Sequence, residues 1–301
     1  MYIANPIFDT VFKHLMENNR VARFFVETLI DMPVESIVVT PQEQTFFKIP
    51  PTIAESGLTD EEQKRVELLS ILRYDFVAIV HTPEGHKKVL IEIQKAKNTI
   101  DLMRFRTYLG EQYKRKDMIT GNGTQIEEAL PIITIYLLGF KLAETDSAAI
   151  HVSRNYQDMI THKSLDVKSE FIECLTHDSY VVQIPRIEGK TRTRLEKMLS
   201  VFEQKDFLDA NGILKNYRHE VDDDNIRQMV DILYHTGSDP KKRKEIEDEW
   251  RSNEWLEEFI TKREIKIAQQ KKIIEDKDKE LENKDKELEE MRQKLKQAGL
   301  S

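Results

Sequence analysis

Apolar residues recur at helical spacing at Ile7, Phe8, Val11, Phe12, Leu15 and Met16, which predicts an amphipathic helix near the start of the chain. Asn5 followed by Pro6 reads as its N-cap with proline at the first helical position. A second set, Val21, Phe24, Phe25, Thr28 and Leu29, keeps the period until Asp31, Met32 and Pro33 stop it. The pattern then turns β-branched at Ile37, Val38 and Val39, predicting a short strand over Ser36–Thr40 before Pro41. Residues 48–63, with Pro50, Pro51 and Gly57 among polar side chains, predict a loop.

The stretches Leu72–Val80 and Lys87–Lys95, separated by a turn containing Pro83 and Gly85, predict two strands of a hairpin. Leu102, Phe105, Tyr108, Leu109, Gln112 and Tyr113 return to a helical period, up to Gly121, Asn122 and Gly123. The apolar run from Leu130 to Leu138 predicts a strand buried on both faces. The order helix, strand, strand, strand, helix, strand places the chain in the α/β class, with a mixed sheet flanked by helices. Beyond Phe140 the pattern weakens, leaving a strand at Ser179–Ile184 and helical periods over Arg194–Glu203 and Asp224–Tyr234.

From Lys262 to Gln297, 22 of 36 residues are charged, which predicts a solvated helix. Ile260, Ile267, Ile274, Leu281, Leu288 and Leu295 recur every seven residues, while the partner heptad position holds Arg263, Gln270, Lys277, Lys284, Met291 and Ala298. The block Lys277–Glu282 repeats at Lys284–Glu289, an internal repeat at the coiled-coil period. Half of the seam is apolar, so two readings stand: a self-associating coiled coil and a lone helix stabilised by its own charge pairs. The expected organisation is a core over 1–145, a mostly helical accessory region over 146–245 and a charged helix or coiled coil over 246–301.

Composition narrows the function classes. The chain has 301 residues, one cysteine and a formal net charge of −8. Cys174 alone makes neither an internal disulfide nor a thiolate zinc site, which agrees with a reducing compartment. The longest apolar stretch, Leu130–Phe140, contains Pro131 and falls short of a membrane span. The opening residues lack the pattern of a secretory signal, so the expected location is the cytoplasm. Net acidity argues against a whole-surface cation built for nucleic acid while leaving room for a local basic cleft. The eight histidines never take a short-pair metal spacing, and no Walker loop, GxGxxG or GxSxG is present.

Two acids stand out against their apolar surroundings. Asp75 lies in Leu72–Val80 and Glu92 in Val89–Ile93, where a carboxylate must be desolvated. Strand alternation puts Glu92 and Gln94 on one face, and across a tight hairpin Asp75 would face the same side. Two carboxylates on adjacent strands form an oxygen-rich site of the kind that holds Mg²⁺ together with waters. The competing reading is an exposed sheet face on which Asp75 and Glu92 pair with Arg73, Lys87, Lys88 or Lys95. A one-residue slip in register would also turn the two acids to opposite faces.

These blocks resemble the PD-(D/E)XK nuclease superfamily and, within it, the recombination-promoting nuclease or putative transposase family. Phe8–Leu15 is similar to that family's first-helix block, Asp75 and then Glu92, Ile93 and Gln94 to its motif, and Leu130–Phe140 to its last core strand. Phe171–Leu175 and Tyr180–Arg186 resemble its accessory region, so the likeness covers residues 1–235 and leaves the tail outside. It implies a restriction-endonuclease-like core of order αβββαβ and a metal-dependent DNA endonuclease using Mg²⁺ or Mn²⁺. Asp75 and Glu92 would be metal ligands, with the Ile93 carbonyl as a third. Gln94 would stand at the usual lysine position, and Asp9 would be a supplementary acid on the first helix.

Tyr74 replaces the proline that names the motif, and Gln94 supplies no cation. Lys95, Lys97, Arg104 and Arg106 are the candidate phosphate contacts, against the alternative of a solvated helix face interspersed with Glu111. The expected partners are DNA and a second copy joined through the tail. A catalytically inactive DNA-binding or assembly protein that keeps the nuclease fold is the alternative.

Overall fold

A computed structural model describes residues 1–41, 59–60, 76–94, 99–121, 124–187 and 189–297; the side chains of 40–41, 99–104, 120–121, 256, 260 and 264 lie outside that description. In chain order the elements used below are β1 (Tyr2–Ala4), α1 (Asp9–Met16), α2 (Asn19–Ile30), β2 (Ser36–Pro41), β3 (Phe76–Thr82), β4 (Gly85–Gln94) and α3 (Thr99–Tyr113). Then come β5 (Asp117–Gly121), β6 (Thr124–Glu128), β7 (Ile132–Leu138), β8 (Ala149–Val152), β9 (Tyr156–Gln157), β10 (Ser164–Leu165), α4 (Glu170–Leu175) and β11 (His177–Gln183). α5 (Arg194–Leu199), β12 (Leu214–Asn216), α6 (Asp224–Ser238) and α7 (Pro240–Gln297) complete the described chain. By internal contacts the chain divides into two units, Met1–Trp250 and Arg251–Ser301.

The predicted hairpin closes where its turn residues require. Thr82 pairs with Gly85 across a two-residue loop, and Gly85 sits at φ 106°, a conformation that favours glycine. Thr82 Oγ1 donates to the Gly85 carbonyl at 2.9 Å and accepts from Glu84 N at 3.2 Å. The hairpin is the middle of a mixed six-stranded sheet of order β2-β3-β4-β7-β11-β8. β2, β3 and β4 are antiparallel, β7 and β11 run parallel to β4, and β8 is antiparallel to β11. The chain is therefore α/β with a mixed central sheet and a long C-terminal helix, as the pattern predicted. Residues 146–245, expected to be mostly helical, contribute β8 and β11 to this same sheet.

Each face of the sheet is covered by helix. On one face Phe12 of α1 meets Phe25 of α2, Phe76 of β3 and Phe202, with ring centroids 5.5, 5.1 and 6.2 Å away. On the other, Tyr108 and Leu109 of α3 pack against Val77, Leu90 and Ile132. β4 lies between the two layers, and its five consecutive residues Lys88–Glu92 are all buried.

Asn5 does not cap α1, which begins at Asp9 with Phe8 in the N-cap position. Asn5 Oδ1 instead accepts from Ile7 N at 3.2 Å in an Asx turn, and Nδ2 donates to the Gly212 carbonyl at 2.8 Å. The cap comes from far along the chain: Glu249 accepts from Asp9 N and Thr10 N, both at 2.9 Å. The helix expected up to Gly121 ends at Tyr113, and β5 (Asp117–Gly121) pairs antiparallel with β6 (Thr124–Glu128). The loop expected over 48–63 falls, except for 59–60, outside the described residues.

β1 pairs with β12, which carries a buried lysine. Lys215 donates to the Glu203 carbonyl at 2.5 Å, while the Glu203 carboxylate is 2.7 Å from His219 Nε2 and 3.3 Å from Lys205 Nζ. Burial pulls Lys215 down from 10.5 to about 7, with Glu203 acting in the opposite direction. Between those values the unfolded chain holds a proton that the folded one has released, so this group makes stability rise with pH from about 7 upward. The urea midpoint of the wild type is expected to gain more between pH 7 and pH 9 than that of Lys215→Met. Parallel pH dependence in the two proteins would refute a depressed lysine.

In the second unit, α7 continues as helix to Gln297. Ile274, Leu281, Leu288 and Leu295 of the heptad series are exposed, and Lys284 pairs with Glu280 one turn away at 2.6 Å. No helix among the described residues is long and apolar enough to cross a membrane.

Candidate functional site

Lys88 and Glu92 on the face of the sheet under α3, and Gln112 of α3 itself, are buried polar side chains. On β4, alternation puts Lys88, Leu90, Glu92 and Gln94 on this face, and Leu90 meets Tyr108 there. Glu92 is 3% exposed, and its register partner on parallel β7 is Tyr136, whose ring lies 4.5 Å from that of Phe105 on α3. Gln94, half-buried, ends the strand, and its carbonyl accepts from Gly139 N at 2.7 Å. Even-numbered residues at this end of β4 thus turn their backbone toward β7, and Ile93 turns its own toward β3. Glu92 and Gln94 give this face a carboxylate and a side-chain amide, and oxygen donors of this kind suit Mg²⁺ or Mn²⁺. Among the described residues there is no group of three or more His, Cys, Asp or Glu side chains placed to hold a metal ion.

The described register ends with Phe76 opposite Ile91, one residue in sequence from each of the two predicted acids. Asp75 itself lies outside the described residues, as do Lys95 and Lys97. Asp9 opens α1, whose Phe12 packs on Phe76, so that helix covers the face opposite to Glu92. Arg104 lies on α3 with its side chain outside the description, and Arg106 is exposed on the same helix, pointing away from the sheet side marked by Phe105 and Tyr108.

The two described lysines considered as partners for the acids are engaged elsewhere. Lys87 pairs with Glu84 at 2.6 Å. Lys88, only 1% exposed, places Nζ 2.6 Å from Asp117 Oδ2 and 3.4 Å from the Gln112 carbonyl. It ties β4 to α3 and to β5. Lys88, expected on an exposed face, is instead buried; the signal for this is its place one strand period before Leu90 and two before Glu92 on the same face. Tyr108 and Gln112 are buried against the sheet, whereas Tyr113 is exposed and hydrogen-bonds His177 Nδ1 at 2.7 Å. Burial, and then the nearby Arg154 charge, hold the His177 imidazole below its ordinary range.

At the hairpin turn, His81 and His86 face each other with ring centroids 4.5 Å apart, and His81 Nδ1 is 2.8 Å from Glu35 Oε2. No family model matches the chain, and neither a curated protein nor a solved structure does.

Proposed function

We propose that the chain is a metal-dependent DNA endonuclease with a PD-(D/E)XK-like core, related to recombination-promoting nucleases. The observation that carries this reading is Glu92: a carboxylate only 3% exposed on the central strand β4, followed on the same face by Gln94. The carboxyl end of a parallel strand pair such as β4 and β7 is where open α/β sheets bind their ligands. In this reading Asp75, Glu92 and the Ile93 carbonyl hold Mg²⁺ or Mn²⁺ and Gln94 orients the attacking water; Asp9, expected from the resemblance as a supplementary acid, opens a helix that covers the opposite face and is left out of the site. The ion, when bound, would lower the pKa of a water and neutralise charge on the scissile phosphate. The chain's own residues supply a buried carboxyl group, a side-chain amide on the same face and a strand end held by β7.

Lys95, Lys97, Arg104 and Arg106 would contact the phosphate backbone, independently of sequence. Arg106→Ala is expected to weaken DNA binding uniformly across sequences and to reduce the salt slope by about 1. An unchanged salt slope in a binding titration would remove Arg106 from the interface. The tail, through its heptad series, would join two chains so that both strands can be cut.

Gln94, a neutral side chain at the position where the superfamily uses lysine, supports a second reading: a silent DNA-binding or assembly protein with the same fold. Cleavage of supercoiled plasmid with Mg²⁺, Mn²⁺ or EDTA separates the two. The endonuclease reading expects metal-dependent nicking that Asp75→Ala and Glu92→Ala both abolish. The silent reading expects DNA binding without cleavage, indifferent to Asp75→Ala.

A further inference from the structure

The end of the β3–β4 hairpin remote from Glu92 carries two imidazoles that the proposed nuclease site does not use. His81 and His86 stand directly opposite each other in register, with ring centroids 4.5 Å apart and ring planes inclined by 30°. Their spacing in the sequence hides this, because it takes the tight turn between Thr82 and Gly85 to bring one ring onto the other. The His81 carbonyl accepts from Glu35 N at 2.8 Å, so the backbone of His81 turns toward β2. In the β3–β4 ladder His81 and His86 are therefore a non-hydrogen-bonded pair, the kind whose side chains approach most closely. Both rings reach solvent: the His81 side chain is 40% exposed and His86 is half-buried.

Glu35 completes the arrangement without being a ligand. Its Oε2 lies 2.8 Å from His81 Nδ1. A carboxylate only accepts, so Nδ1 carries the proton and the lone pair of the neutral ring sits on Nε2. A carboxylate that fixes the tautomer and orientation of an imidazole in this way is the usual partner behind a metal-bound histidine. The neighbouring cations on β4 are engaged elsewhere, Lys87 with Glu84 and Lys88 with Asp117, both at 2.6 Å. The ligand type selects the metal. Neutral imidazoles suit first-row ions such as Zn²⁺, Ni²⁺ and Cu²⁺, whereas Mg²⁺ takes oxygen donors. With two protein ligands, waters fill the rest of the coordination sphere.

We propose that His81 and His86 form a two-imidazole site for a divalent ion of the Zn²⁺, Ni²⁺ and Cu²⁺ class, with Glu35 as the positioning residue that holds His81 for it. Bound there, the ion would clamp β3 to β4 at the start of β4, whereas Glu92 lies near its other end. The site differs from that of Glu92 in place and in ligand chemistry and does not depend on the nuclease reading.

The test is Zn²⁺ alone, titrated by calorimetry into the full-length chain in a Glu92→Gln background that removes the carboxylate of the other candidate site. Saturable binding of a single ion is expected, and excess Mg²⁺ is expected to leave it in place. His81→Gln and His86→Gln are each expected to abolish the binding. Glu35→Gln is expected to weaken it by about 10-fold or more with the stoichiometry kept, the scale on which a carboxylate behind a metal-bound histidine acts. A second measurement needs no variant: an equimolar amount of Cu²⁺ on the unaltered chain is expected to give an electron paramagnetic resonance spectrum split by two imidazole nitrogens. The absence of saturable Zn²⁺ binding, binding that survives either histidine change, unchanged affinity in Glu35→Gln, or a spectrum split by one nitrogen overturns the proposal.

Discussion

Lys88→Ala is expected to lower the free energy of unfolding by about 3–5 kcal/mol, the cost of stripping one partner from a buried ion pair. Lys88 Nζ lies 2.6 Å from Asp117 Oδ2, and the two side chains are 1% and 14% exposed. Removing the ammonium leaves the Asp117 carboxylate in a place water barely reaches, beneath the end of α3. The Gln112 carbonyl, 3.4 Å from the same Nζ, loses its donor as well. The pair itself carries little net stability, because desolvating both ions offsets most of their attraction. The double change Lys88→Met with Asp117→Leu is therefore expected to recover most of the loss. Urea unfolding of the three proteins checks this. Single changes that cost less than about 1 kcal/mol, as at an exposed pair, would show that water reaches the site.

The same region shows what local pattern conveys and what it leaves out. The hairpin was legible because strand alternation, Pro83 and Gly85 agree, and its register keeps Glu92 and Gln94 on one face as alternation predicted. The strand after α3 was legible because seven residues from Ile132 to Leu138 are apolar enough to be buried on both sides. The α1 cap was not legible: Asn5 and Pro6 make the right local signal, but the two donors at the helix start are taken by Glu249, more than two hundred residues away. Nor was β5–β6, whose strands expose alternating Met118 and Ile126 among polar residues and bury little. In the sequence, Asn122 followed by Gly123 fits a helix stop as well as a hairpin turn. Lys88 was misread because lysine is so rarely buried that its position on an inward face was outweighed by its type.

Glu92→Gln is expected to reduce metal-dependent cleavage by about 100-fold or more, the scale on which removing one charge-stabilising group acts. The substitution nearly preserves side-chain volume, so packing beneath α3 and against Tyr136 is retained while the negative charge is lost. Asp75→Ala is expected to match it in cleavage. A comparable loss from Glu92→Gln accompanied by partial unfolding in circular dichroism would point to a structural carboxylate. Loss of cleavage with unchanged melting would place the effect in the chemistry.

Titrating Mn²⁺ by calorimetry into the full-length wild type and into Glu92→Gln asks whether Glu92 is a metal ligand. A saturable binding isotherm is expected for the wild type and none for Glu92→Gln, with both proteins equally folded. Mn²⁺ binding of the same strength and stoichiometry in the two proteins would contradict it.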